Sequence, residues 1–219
     1  MNAKSQELKD KVTADFESGK KAFHDALAKA QVEISTVTAE ITRLRTDLKT
    51  ETAEAKVNTM TRVNELTRKL DAARKEEQDK IEVRLKELHN EIESVNAEVK
   101  HATAAGKLAA EAKAKAVRED YDSTRRALIA SLDAELAEWK ARISTAFDAA
   151  AETKAAAKAA VQAKIADLHT RHEAAQKELQ ALKQANAAAF DELHRGVRTA
   201  IAEVKTAVQH ARADLTAAS

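Results

Sequence analysis

Two short stretches hold residues whose types and spacing could bind a metal. His169-Thr-Arg-His172 sets two imidazoles three residues apart, on one face of any helix that carries them, with Glu173 adjacent. Glu98-Val-Lys-His101 has the Glu-x-x-His spacing used by di-metal carboxylate centres in helical bundles, where both side chains project inward. Such a centre needs that motif twice, plus a glutamate from each of two facing helices. The chain contains Glu-x-x-His once. No metal or other cofactor is therefore expected, and His172 reads as a polar residue tolerated on an apolar stripe. Catalytic signatures are absent as well: there is no Gly-rich phosphate loop, no Gly-x-Ser-x-Gly turn and no cysteine nucleophile. The abundant carboxylates fall on helix faces that give them no reason to act as acid or base. An enzyme is not expected.

The elements that would position these residues are helices. The 219 residues include no proline, three glycines and 3% aromatic residues, and 33% are charged. Turns draw on Gly, Pro, Asn and Asp, so the chain has few obvious places to turn. Alanine, lysine and glutamate, all strong helix formers, dominate instead. The expected fold class is all-α, built from long amphipathic helices.

An apolar stripe recurs at alternating steps of three and four, the pattern that keeps one face toward a partner helix. It is clearest at Phe23, Leu27, Ala30, Ile34, Val37, Ile41, Leu44 and Leu48, and again at Ile81, Leu85, Leu88, Ile92, Val95 and Val99. Leu128, Leu132, Leu136, Trp139 and Ile143 continue it, then Leu168, His172, Leu179 and Leu182, then Phe190, Leu193, Val197, Ile201 and Val204. The residues expected to form the pairing seam are Ile34, Ile41, Leu44, Leu48, Leu85, Leu88, Ile92, Val95, Leu128, Leu132, Leu136, Leu179, Leu182, Leu193 and Ile201. Around the stripe, acid-before-base pairs four residues apart recur. They include Glu65–Lys69, Asp71–Lys75, Glu111–Lys115, Glu138–Arg142, Asp167–Arg171 and Asp191–Arg195, each contributing about 0.2–0.5 kcal/mol to a helix.

A single helix of this length would leave its stripe wet. Gly106, in the alanine-rich centre HATAAGKLAAEAKAKA, is the expected turn, because glycine takes left-handed conformations without steric cost. That divides the chain into two helical arms, 1–105 and 106–219, forming one elongated antiparallel hairpin. Gly19 and Gly196 would then lie opposite each other as a second hinge or a close helix contact. One continuous helix is the first alternative, and a bundle with further turns near Thr50, Asp71, Asp148 or Asn186 is the second. Since two such helices do not close a core, self-association into a homodimer or larger bundle is expected.

The functional expectation follows from shape. It is a non-enzymatic coiled-coil structural or scaffolding protein, pairing with itself or with another coiled-coil protein. Formal net charge is +1, with 19 basic and 20 acidic residues before Gly106 and 18 and 16 after it. No basic patch stands out, so nucleic acid is not an expected partner. No stretch approaches the roughly 20 apolar residues that span a bilayer, and the cytoplasm is the expected location.

The aromatic residues Phe16, Phe23, Trp139, Phe147 and Phe190 fall at helical spacing, as core residues do. They leave a lipid or granule surface as the second functional reading. In composition the chain is similar to exchangeable apolipoproteins, phasin-like granule coats and late-embryogenesis-abundant desiccation proteins. AETKAAAKAAVQAKI resembles the Ala/Lys/Glu/Thr repeats of the last group, which implies stress protection as a third reading. No diagnostic motif accompanies any of these likenesses.

Overall fold

The computed structural model describes residues 3–151 and 155–217. The side chains of Phe147 and of residues 146–161 generally lie outside the described part. The chain forms five helices, α1 (Ala3–Asp47), α2 (Ala53–His101), α3 (Ala104–Ala151), α4 (Ala155–Gln184) and α5 (Ala187–Ala217), with no strand among the described residues. It is an all-α helical bundle protein. The chain divides into two compact units. The first is Met1–Leu128 and the second Ile129–Ser219, so α3 contributes to both.

The breaks after α1, α2 and α4 each have a local chemical cause, and none is a glycine. After Asp47 the helix tightens: Lys49 N–H donates to the Thr46 carbonyl at 3.1 Å and Thr50 N–H to that of Asp47 at 3.0 Å. The Thr50 hydroxyl also donates to the Asp47 carbonyl, at 3.1 Å, satisfying a terminal acceptor. Thr52, extended at φ −68° and ψ 162°, then starts α2, and its carbonyl accepts from Lys56 N–H at 2.9 Å. Between α4 and α5 the Asn186 side-chain oxygen accepts from Ala189 N–H at 3.0 Å, the geometry of a helix N-cap. Helix boundaries thus fall near Thr50 and Asn186, and α3 ends at Ala151, three residues after Asp148, whereas Asp71 lies inside α2.

The central break requires a correction. The chain turns at Ala102–Thr103, three residues before Gly106. Ala102 is extended at φ −69° and ψ 137°, and the Thr103 carbonyl accepts from both Gly106 N–H (2.8 Å) and Lys107 N–H (3.0 Å). Gly106 is therefore in the first turn of α3, and none of the glycines has a positive φ. Its left-handed freedom is not used. Gly19 and Gly196 are not hinges either, since they lie inside α1 and α5. At Gly196 an added Cβ would stand 3.3 Å from Glu178 Oε2, the far end of an exposed side chain of α4 that can move aside.

In the first unit α1 and α2 form an antiparallel pair, with Ile41 and Leu44 packed on Leu66 and Leu70, flanked by Ile34, Val37 and Val63. Arg62 clamps this pair from outside, donating from Nη2 to Glu40 Oε1 at 2.7 Å and from Nε at 3.1 Å. The C-terminal half of α2 runs antiparallel to the start of α3, where Ile81, Leu88, Val95, Val117 and Leu128 are fully buried. In the second unit α4 meets the last part of α3, with Lys183 Nζ 3.1 Å from Asp133 Oδ2. It also pairs antiparallel with α5, with Arg171 Nη1 3.9 Å from Glu203 Oε2. Leu132, Leu136, Leu179, Leu182, Phe190 and Val197 are buried there. Each large apolar side chain so covered contributes roughly 1.5–3 kcal/mol.

Candidate functional site

The polar groups most withdrawn from water lie where the helices meet. In the first unit, Asp120 stands on α3 three residues after Val117 and four before Thr124, so the apolar stripe itself carries it inward. Its side chain is 0% exposed. Arg84 of α2 donates from Nη2 to Asp120 Oδ2 at 2.8 Å, and His24 of α1 places Nε2 3.1 Å from Oδ1. One carboxylate thus ties three helices together. Arg84 continues to Glu87 Oε2 at 3.4 Å, and its guanidinium lies 5.8 Å from the Phe16 ring centroid. Phe23 meets the His24 ring edge-on at 5.4 Å. Thr124, one turn beyond Asp120, is fully buried, and its hydroxyl has no hydrogen-bond partner.

An open groove of about 700 Å³ runs beside this network between α1 and α2, floored by Gly19, Phe23, Ala72 and Val83. Its rim ammonium groups are matched on their own helix, Lys75 by Asp79 and Lys80 by Glu76. The hydrogen bond and charge of Lys80 hold the Glu76 carboxyl below the usual carboxylate range. Similar surface pairs raise Arg62 through Glu40 and Arg171 through Asp167. These are features of a solvated helix face.

The second unit buries histidines instead. His172 Nε2 lies 2.9 Å from the Leu136 carbonyl, so a proton on that nitrogen bridges α4 to α3. His194 is also buried and stacks on Phe190 with ring centroids 6.1 Å apart. On α3, Arg142 donates from Nε to Glu138 Oε1 at 3.2 Å, and its guanidinium covers the Trp139 ring at 4.1 Å.

The two metal-like spacings take up other positions. His169 and Glu173 are exposed while His172 is turned inward, so the three do not converge. Glu98 lies 3.7 Å from Lys113 Nζ, and His101 is exposed. Among the described residues no group of three or more His, Asp or Glu side chains is arranged to hold a metal ion.

Of the seam residues, Ile41, Leu44, Leu85, Leu88, Val95, Leu128, Leu132, Leu136, Leu179, Leu182 and Ile201 are buried, and Ile34, Leu48, Ile92 and Leu193 are half-buried. The seam closes within one chain because each unit supplies a third helix. Most of the stripe is covered in this way within each unit. Leu108 is 78% exposed and Val83 57%, consistent with their places off the stripe.

Spacing alone did not single out His24, Arg84 or Asp120. The available signal was Asp120 itself, a charged residue at seam spacing between Val117 and Thr124. Its partners are 96 and 36 residues away in sequence and carry no local mark.

Comparison with known proteins finds no family model, no curated protein and no solved structure that matches this chain. Among the described residues no helix is long and apolar enough to cross a membrane. The class that the fold and its polar sites define is a helical bundle protein whose buried polar groups serve helix pairing.

Proposed function

We propose that this chain is a non-enzymatic structural or scaffolding protein of the cytoplasm that works through helix–helix association, including association with further copies of itself. The observation that carries the reading is Asp120. The most deeply buried carboxylate of the first unit gives both oxygens to neighbouring helices, leaving neither for a substrate. The groove beside it is open to water and rimmed by charges already paired, which supports the same reading.

The network also weighs against a coat on lipid or on a hydrophobic granule. Spreading the first unit on such a surface would turn Asp120 and Arg84 toward an apolar phase, where charged groups are costly. Sedimentation equilibrium of the full chain over a hundredfold concentration range tests the proposal. The expected result is a mass of two or more chains that falls on dilution. A mass of one chain throughout, together with co-sedimentation with vesicles, would transfer the case to the lipid reading.

A further inference from the structure

The apolar seam of the first unit does not choose its own register. On α2 the fully buried Ile81, Leu88 and Val95 lie seven residues apart. On α1, Leu27, Ile34 and Ile41 repeat the interval, with Leu27 and Ile41 buried and Ile34 half-buried. Sliding the α1–α2 hairpin along α3 by seven residues, about 10 Å, puts Leu88 in the place of Ile81 and Val95 in the place of Leu88. Apolar burial is non-directional and set by area, so it hardly opposes the move. Lys113 does not oppose it either, since its Nζ already reaches Glu91 at 4.0 Å and Glu98 at 3.7 Å, acids seven residues apart.

The backbone could follow. A seven-residue slip between antiparallel helices moves their turn by half that number. Starting from Ala102–Thr103, it brings the turn to Gly106, a residue able to adopt whatever conformation a turn needs.

Charge is what forbids it. In that slip Glu91 arrives where Arg84 stands and, α1 being antiparallel to α2, Glu17 arrives where His24 stands. Asp120, with no exposure to water, would then face two carboxylates. In the opposite slip Glu77 and Gln31 take those places. Only the native register gives Asp120 a cation. We infer that the Asp120 site is the register key of this unit: it holds the α1–α2 hairpin against α3 in one alignment, and so sets the turn at Ala102–Thr103 and keeps it off Gly106. The inference goes beyond the scaffold reading and stands whether or not the chain self-associates.

The chain has no cysteine, so spin labels on K69C and K115C, both exposed sites, report one α2–α3 distance by double electron–electron resonance. In the otherwise unchanged chain a single distance is expected. In R84E/E91R, which moves the cation by one heptad, that distance is expected to lengthen by about 10 Å. In H24L/R84M/D120L, where no buried charge is left to choose and only the exposed Arg118–Asn96 bond still favours one alignment, both distances are expected in one sample. The triple variant removes the buried charges and does not relocate them, so it decides the matter even if R84E/E91R fails to fold. A folded R84E/E91R that keeps the original distance, or a triple variant with that distance alone, overturns the inference.

Discussion

Arg84 and Asp120 sit 36 residues apart in sequence and 2.8 Å apart in space, joined across the α2–α3 interface by a charge-assisted hydrogen bond to a carboxylate with no exposed surface. Removing one partner of such a pair strands the other. R84M is therefore expected to cost about 3–5 kcal/mol, read as a lower urea midpoint. D120N should cost less, because the amide keeps an acceptor oxygen toward Arg84. Equal losses in the two variants would mean that the amide oxygen does not keep the bond to Arg84, since Asn and Asp have the same volume.

Thr124 presents the opposite case. Its buried hydroxyl has no partner, and an unsatisfied buried polar group costs roughly 1–3 kcal/mol. Valine has nearly the same shape and the same branched Cβ. T124V is expected to raise stability by about 1 kcal/mol, seen as an increase in melting temperature. A loss of stability would show that the hydroxyl is bonded in solution.

At Gly106 the backbone is helical and a Cβ would meet Ala102 Cβ and the Thr103 hydroxyl oxygen at 3.9 Å, an ordinary contact. Alanine should then stabilise the chain by about 0.5–1 kcal/mol, by lowering the freedom of the unfolded state. Were the residue a left-handed hinge, the same substitution would destabilise. Denaturant unfolding of G106A separates the two.

Asn186 caps α5, and N186A is expected to cost about 1 kcal/mol, with N186D retaining most of the stability. Thermal unfolding followed by circular dichroism at 222 nm checks both variants. A neutral N186A would mean that the bond to Ala189 N–H is replaced by water at no cost.

His172 tests how much a polar residue inside the second unit contributes. The Leu136 carbonyl lies in mid-helix and keeps a backbone donor if His172 is lost. H172L should then fall within about 1.5 kcal/mol of the original chain, since a net hydrogen bond is worth about that much or less. H172A leaves a void and should cost about 2 kcal/mol or more. If H172L proves as damaging as H172A, the imidazole does more than fill space and bridge to Leu136.

Much of this protein was legible without coordinates. Steps of three and four among Leu, Ile and Val are a local property of the chain, set by 3.6 residues per turn, so helix type and the inward face follow from the residues themselves. That is why every seam residue from Ile34 to Ile201 lies at least half-buried. The same periodicity cannot say which helix a stripe meets. It repeats every seven residues, and alignments one heptad apart bury nearly the same apolar area. Gly106 looked like the turn because its backbone permits one. The chain turns at Ala102–Thr103 because α2 and α3 align there, with Arg84 and His24 on Asp120. Those partners are brought together by tertiary packing alone, since a buried carboxylate's need for a cation is satisfied across helices and leaves no trace in the spacing of either one.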